Sequence, residues 1–247
     1  MSIEEFIKNL SKEDLNKINK EFAKKENQKS NYQYGKIQFH DLKELFNVKK
    51  QLNKSIFYKW INSEIQLNTK DISFLKYLLT ENEDLIQSYR EEDLKIKFIS
   101  PILNRVNFKS IEYEFRDFYE LPIKYETENF ILKGTTDFAV SRGLFYSEKP
   151  YFFIQEFKKS KENSDPEPQL VAELISAVEL NNWKTIKGAY IIGENWNFVI
   201  LNRLEKHKYE YFVSRTFNST NFEDLKGIYK NLLFIKQEII EMVKRGE

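Results

Sequence analysis

The segment Ile-Gln-Glu-Phe-Lys at residues 154–158 carries the residue types in this chain that are best suited to chemistry. An apolar run leads into it, and side chains two apart in a strand point to the same face, so Glu156 and Lys158 are expected to project together. A second strand-like run upstream contains Gly-Thr-Thr-Asp, which ends at Asp137. If the two runs form a hairpin, Asp137 and Glu156 meet at one edge of it.

Two carboxylates at one sheet edge suit a hard divalent cation such as Mg²⁺ or Mn²⁺, because these ions prefer oxygen ligands. Such an ion polarises a phosphoryl oxygen and supplies hydroxide at neutral pH. A neighbouring ammonium, here Lys158, can stabilise the charge of a transition state or orient the attacking water. Hydrolysis of a phosphodiester bond needs this combination.

The pattern acid-x-Lys is a weak signal by itself, because it starts at four positions in this chain: Asp41, Asp93, Glu156 and Asp224. Three of them lie in amphipathic, helix-like sequence and are predicted to be solvated. Only Glu156 ends an apolar strand and follows a Gly-x-x-Asp strand. A plain salt bridge between Glu156 and Lys158 at a strand end is the alternative that the pattern leaves open.

Composition removes several other chemistries. The chain has 247 residues, no cysteine and two histidines, His40 and His207, which receive no role. Disulfides, cysteine-held zinc, thiol catalysis and multi-histidine metal cages are therefore excluded, and no phosphate-binding glycine motif occurs. The net charge of +1 makes any nucleic-acid contact a matter of local patches, such as Lys-Lys-Ser-Lys at 158–161.

The elements that must position these residues follow from periodicity. Residues 1–90 are predicted to be a helical N-terminal region, with a loop at 24–34 and a helix starting near Thr69. From 91 the pattern predicts a second region, 91–247, in which helices pack on a mixed sheet. Its predicted elements are, in order, a helix at 91–104 containing Pro101, strands at 115–125, 130–140 and 151–157, a helix at 169–180, strands at 189–192 and 198–201 around a turn at 193–196, a strand at 209–215, and a helix at 221–245.

The segments GTTDFAV and YFFIQEFKK, followed by Gln169 on a helix, resemble the PD-(D/E)XK nuclease superfamily, especially the nuclease domain of type I restriction motor subunits and related bacterial proteins. The resemblance covers about residues 91–215. It implies an α/β fold with a restriction-endonuclease-like core, joined to an N-terminal helical extension and a long C-terminal helix. Two positions depart from the family pattern: Thr136 stands where a proline is usual, and Glu173 follows Gln169 where a tyrosine is expected.

The resemblance also implies functional residues. The carboxylates and the lysine of the family motif fall on Asp137, Glu156 and Lys158. The helix before the sheet offers Glu92, with Glu91 as the next choice. The implied catalytic set is Asp137, Glu156, Lys158, Gln169 and Glu92, and the implied ligands of Mg²⁺ or Mn²⁺ are Asp137, Glu156, Glu92 and the carbonyl of Phe157.

The expected activity is therefore metal-dependent hydrolysis of phosphodiester bonds, with DNA the favoured substrate and a homodimer left open. Two alternatives remain: a catalytically inactive nucleic-acid-binding module on the same fold, and a protein-interaction role centred on residues 1–90. Trp183 and Trp196 are expected to pack against the sheet rather than stack on bases. The chain has no apolar run long enough to span a bilayer and no secretory signal at its start, so a cytoplasmic location without a membrane partner is expected.

Overall fold

The computed structural model describes residues 10–26, 29–160 and 165–246, without the side chains of 21–26. The strands of this part are β1 Ser30–Gln33, β2 Asn47–Gln51, β3 Phe115–Glu126, β4 Phe130–Arg142, β5 Glu148–Lys158, β6 Thr185–Ile192, β7 Asn195–Glu205, β8 Lys208–Val213 and β9 Phe217–Asn218. The α-helices are α1 Lys12–Glu26, α2 Phe39–Leu45, α3 Tyr58–Ile61, α4 Thr69–Asn82, α5 Glu91–Leu94, α6 Ser100–Val106, α7 Pro166–Asn181 and α8 Phe222–Lys244. Short 3-10 turns lie at Tyr34–Lys36, Ser55–Phe57 and Ile86–Ser88, and a π-helical turn at Lys95–Ile99 joins α5 to α6.

All nine strands belong to one mixed sheet with the order β1-β4-β5-β6-β7-β8-β2; β3 also pairs with β4, and β9 pairs with β7. β4 and β5 are antiparallel, whereas β5 and β6 are parallel and are connected through α7. β1 and β2 run parallel to β4 and β8. The sheet therefore combines a long antiparallel hairpin with a parallel β-α-β unit, and both include β5.

Two apolar clusters cover the two faces of the sheet. One contains Ile102, Phe153 and Leu232, so it joins the α6 and α8 side to the sheet. The other contains Ile154 and Leu174 together with residues of the turn at 34–36 and of α2. Every residue of α7 from Pro166 to Val178 is buried, because the sheet covers one side of this helix and the N-terminal elements help to cover the rest.

The predicted α/β architecture, with helices flanking a mixed sheet and a long C-terminal helix, is confirmed. Residues 1–90 are predicted to be a helical region with a loop at 24–34; residues 1–9 lie outside the described part, and the rest is largely helical but also contains β1, inside the predicted loop, and β2, after α2. Both strands are short and largely exposed. Neither sequence alternates apolar and polar residues, so periodicity does not predict a strand. The extended conformation comes from pairing with β4 and β8.

The helix predicted at 91–104 extends to Val106 but changes its winding on the way. The π-helical turn at Lys95–Ile99 lies directly before α6, where Pro101 occupies the first turn. Proline has no N–H to donate to the carbonyl four residues earlier, so a change of winding just before it is physically reasonable. None of the helices in the described ranges is long and apolar enough to cross a membrane.

Element ends also differ from the predicted ones. The turn predicted at 193–196 is limited to Gly193 and Glu194, because Asn195 and Trp196 already belong to β7. The helix predicted from Gln169 begins at Pro166, where the Asp165 side chain caps it by accepting from the N–H of Glu167. Proline fits the first turn of a helix because the N–H groups there have no partner within the helix.

Candidate active site

The predicted residues meet where β4 and β5 diverge. Phe138 and Gln155 form the last pair in the direction of the site, and the earlier part of β4 pairs with β1 only as far as Lys133. Residues 134–137 thus have no strand on that edge in the described part of the chain. The N–H of Asp137 donates to Glu156 Oε1 at 3.1 Å, and the N–H of Phe157 donates to Asp137 Oδ2 at 2.8 Å. The two carboxylates take over the hydrogen bonds that the missing strand pairing would have made.

We call the gap between residues 134–137 of β4 and residues 156–158 of β5 the strand fork. Helix α7 closes it from one side. Gln169 donates through Nε2 to Glu156 Oε2 at 2.6 Å and to Glu173 Oε1 at 3.2 Å. Glu156 and Glu173 are 1% and 0% exposed, so two carboxyl groups share one buried amide. Burial, and then the neighbouring Glu173 and Asp137, raise the pKa of Glu156 well above its ordinary value. Burial likewise raises the pKa of Glu173.

Polar atoms without a partner surround this pair. Within the described residues, Gln169 Oε1 and Glu173 Oε2 are buried and have no hydrogen-bond partner, and the buried Tyr34 hydroxyl interacts with Ser176. Burial raises the pKa of the Tyr34 phenol, and the carboxylate of Glu173 adds to this effect. Tyr34 is held against β4 at Gly134, where an added Cβ would lie 2.8 Å from the Tyr34 ring. This close approach gives a physical reason for the glycine of the Gly-x-x-Asp motif.

Two ammonium groups lie on the open side of the fork. Lys158 Nζ is 3.9 Å from Asp137 Oδ2 and 3.7 Å from Glu91 Oε1. Lys95 Nζ donates to Asp137 Oδ1 at 3.3 Å and also contacts the Glu120 carboxylate. Burial lowers the pKa of Lys95, but Glu120 and Asp137 more than offset it and leave the pKa raised. Asp137 is therefore held between two cations.

Lys95 and Glu173 were not among the predicted site residues. Lys95 belongs to the acid-x-Lys pattern at Asp93, which was predicted to be solvated; that prediction is wrong for Lys95, which is 9% exposed. The apolar periodicity does not predict the π-helical turn that carries it, and Pro101 indicates only that the helix is interrupted nearby. Glu173 did have a signal, since it stands four residues after Gln169 and such residues share one helix face. Glu120, opposite Asp137, adopts φ +50 in the middle of β3, a backbone conformation that side chains other than glycine rarely take.

The fold brings the other predicted site residues together, except that Glu91 takes the position predicted for Glu92. Asp137, Glu156, Lys158 and Gln169 form a connected cluster, and Phe157 supplies backbone to it. Glu92 is exposed on α5, whereas its neighbour Glu91 reaches the site. Glu91 Oε2 also accepts from the N–H of Lys159 at 3.2 Å. The side chain at the start of α5 that contacts the cluster is therefore Glu91.

The donor chemistry of the fork suits a hard cation. The carboxylates of Asp137 and Glu156 face it, and carboxylate oxygens are ligands that hard cations prefer; the Gln169 side chain presents its NH₂ group to Glu156. In the ranges that the structure covers, no group of three or more histidine, aspartate or glutamate side chains is arranged to hold a metal ion. The fork itself contains two acidic side chains, Asp137 and Glu156, each bonded to a backbone N–H of the other's strand.

The neighbouring basic and aromatic residues have mixed roles. Lys159 Nζ donates to the carbonyls of Ile86 and Gln87 at 2.8 and 3.0 Å, so it anchors a loop. Lys161 lies outside the described residues. The packing predicted for the tryptophans is confirmed: Trp196 is fully buried, and the ring of Trp183 lies 5.8 Å from that of Phe152. Lys158 is thus the described member of the basic cluster that faces the fork.

Comparison of the sequence with protein-family models and with curated proteins gives no match.

Proposed function

We propose that this chain is a metal-dependent nuclease that hydrolyses phosphodiester bonds, with DNA as the favoured substrate. The observation that carries the proposal is the strand fork, where the carboxylates of Asp137 and Glu156 are fixed by each other's strands and Lys158 lies beside them. Hydrogen bonds from the backbone N–H groups of Asp137 and Phe157 orient the two carboxylates before substrate arrives. Hydrolysis of a phosphodiester needs such a preorganised set of carboxylate and ammonium groups.

Asp137, Glu156 and the carbonyl of Phe157 would hold a divalent cation such as Mg²⁺ or Mn²⁺. When bound, the ion supplies charge neutralisation at the phosphoryl oxygens and lowers the pKa of a water molecule. Gln169 keeps Glu156 oriented through the 2.6 Å hydrogen bond to Oε2. Glu91, and not Glu92, contacts Lys158 and the N–H of Lys159. Glu91 therefore positions the end of β5.

Lys158 is the side chain that we expect to contact the reacting groups. Its side chain is 18% exposed, and its ammonium lies within 4 Å of both Asp137 and Glu91. Burial lowers the pKa of Lys158, but the surrounding carboxylates raise it by more, so the pKa is raised overall. Lys158 is therefore protonated at neutral pH. A protonated Lys158 binds a phosphate oxygen and orients water, and does not act as a base at this pH.

A catalytically inactive module on the same fold is the second candidate, and one observation favours it. Each carboxylate oxygen of Asp137 and Glu156 already has a partner inside the protein: Lys95 and the Phe157 N–H for Asp137, the Asp137 N–H and Gln169 for Glu156. A cluster that is complete in this way can be purely structural. Under this reading, nucleic acid binds without cleavage and without a requirement for a divalent cation.

The test is an incubation of the purified protein with supercoiled plasmid, linear duplex, single-stranded DNA and RNA, in Mg²⁺, in Mn²⁺ and with chelator. We expect cleavage that needs the ion, favours DNA and is lost in Glu156→Ala and Lys158→Ala. Lys226→Ala is the matched control, because Lys226 ends another acid-x-Lys pattern but lies on α8 beside Glu223. Absence of cleavage on all four substrates, or cleavage that persists in both site variants, would reject the proposal.

A further inference from the structure

Lys95 lies between two carboxylates at the open side of the strand fork. Its ammonium group donates to Asp137 Oδ1 at 3.3 Å and also to the carboxylate of Glu120. The other oxygen of Asp137, Oδ2, accepts from the N–H of Phe157. A divalent cation at Asp137 would therefore lie beside the ammonium group of Lys95, and the two positive charges would repel each other.

The two carboxylates that contact Lys95 differ in their environment. The side chain of Asp137 is 16% exposed, whereas that of Glu120 is 61% exposed. The ammonium group itself is mostly buried and lies 5.3 Å from the centre of the Phe157 ring. Because a buried ammonium group needs a counter-charge, Lys95 can give up Asp137 only if another carboxylate stays with it. Glu120 is that carboxylate, and its exposed side chain can follow Lys95 towards solvent.

The backbone of β3 holds Glu120 in this place at a cost. The residue pairs on either side in β3 and β4 put Glu120 directly opposite Asp137. Glu120 adopts φ +50 there, in the left-handed region that residues other than glycine rarely occupy. Residues in such conformations concentrate at functional sites, because the surrounding structure must be built to keep them there. A role for the Glu120 carboxylate beside Asp137 gives this conformation a reason.

We propose that Lys95 and Glu120 are positioning residues that control the access of the divalent cation to Asp137. Lys95 neutralises Asp137 in the absence of the ion, and Glu120 retains Lys95 when the ion takes its place. This inference rests on the proposed function in one respect, since the cation is the one proposed at Asp137. Lys158 is not equivalent to Lys95, because its ammonium group is 3.9 Å from Asp137 Oδ2 and makes no hydrogen bond to it.

The experiment is a calorimetric titration of the full chain with Mn²⁺, without substrate. Lys95→Met removes the competing charge but keeps a long side chain, so it should bind Mn²⁺ about tenfold more tightly than the wild type. Glu120→Gln should bind it about tenfold more weakly, because Lys95 then has no second carboxylate. The double variant should bind Mn²⁺ as tightly as Lys95→Met alone, because Glu120 acts only through Lys95.

The double variant separates this account from a simple effect of charge. If Glu120 acted only as a negative charge near the ion, Glu120→Gln would weaken Mn²⁺ binding equally with and without Lys95. The matched control is the ion pair between Lys97 and Asp93, which lies two residues away with a distance of 3.0 Å between Nζ and Oδ1. Lys97→Met and Asp93→Asn change the same charges and should leave the Mn²⁺ affinity unchanged.

A Lys95→Met protein that binds Mn²⁺ no more tightly than the wild type would overturn the proposal and leave the proposed function standing. Equal weakening by Glu120→Gln in both backgrounds would do the same. If Lys95→Met does not fold, unchanged affinity in Glu120→Gln would overturn it alone. Absence of Mn²⁺ binding in the wild type and in Lys95→Met would reject both this proposal and the metal-dependent function. The expected affinities in a protein that cleaves no nucleic acid would support the proposal and reject the nuclease.

Discussion

Glu167 and Glu179 lie near the two ends of helix α7, and Glu173 lies midway between them. Glu167 accepts hydrogen bonds from the hydroxyls of Tyr190 and Tyr211 at 3.2 and 3.0 Å and from Lys50 at 2.6 Å. Glu179 accepts from the Tyr209 hydroxyl at 2.6 Å and pairs with Arg203 at 3.5 Å. Glu173 instead meets a shared amide and a second carboxyl group.

The different partners of these three glutamates distinguish the ends of the helix from its middle. The end regions use tyrosine hydroxyls and cations from the sheet to satisfy their glutamates, which is the arrangement expected of structural residues. The middle leaves an oxygen of Glu173 unpaired and places two carboxyl groups together, which stability alone does not favour. Arrangements that are unfavourable for stability but surrounded by well-satisfied neighbours are typical of functional sites. The same change, Glu→Gln, can be made at all three positions and separates the two cases.

The largest expected effect on stability is at Glu167. Glu167→Gln removes the charge that pairs with Lys50 and supports two tyrosine hydroxyls, so we expect the free energy of unfolding to fall by about 2 kcal/mol. Urea denaturation followed by circular dichroism measures it. A change below about 0.5 kcal/mol would mean that the end of the helix is no better satisfied than the middle.

At Glu173 the same substitution should have the opposite sign and depend on pH. The pKa values of Glu156 and Glu173 are raised in the folded state, so the wild type loses stability as pH rises from the ordinary glutamate range through the raised values. Glu173→Gln removes the part of this loss that comes from Glu173 and lessens the part that comes from Glu156. With chelator present we expect a gain of about 1 kcal/mol at pH 8 and a smaller difference at pH 5.

Denaturation curves at the two pH values, with Glu167→Gln as reference, check this prediction. If Glu173→Gln were as destabilising as Glu167→Gln at both pH values, the middle of α7 would have to be counted as structural.

The smallest effect is expected at Glu179. A glutamine there still accepts from the Tyr209 hydroxyl and loses only the 3.5 Å ion pair with Arg203, so the free energy of unfolding should fall by about 0.5 kcal/mol. The thermal midpoint in low and in high salt measures it, since screening should reduce an ion-pair effect. A salt-independent loss above about 2 kcal/mol would contradict this account of the helix end.

Sequence and structure agree best where the signal is local. The run into Glu156, the Gly-x-x-Asp strand and the long apolar period of α8 each mark an element without help from the rest of the chain. β1 and β2 could not be read in this way, because short polar strands exist only through pairing with β4 and β8. Lys95 was missed because its position depends on a π-helical turn, and Glu91 replaced Glu92 because one residue rotates a helix position by about 100°.

The central claim is that the strand fork cleaves nucleic acid, and Asp137→Asn tests it most directly. An asparagine oxygen can still accept from the N–H of Phe157, while its NH₂ group replaces the oxygen that accepts from Lys95, so the variant loses one carboxylate charge and the Lys95 hydrogen bond. The measurement is the rate of Mg²⁺-dependent nicking of supercoiled plasmid, with circular dichroism as the check of folding. The account predicts a folded variant whose rate falls by at least about 100-fold. A folded Asp137→Asn that nicks plasmid at the wild-type rate would contradict it.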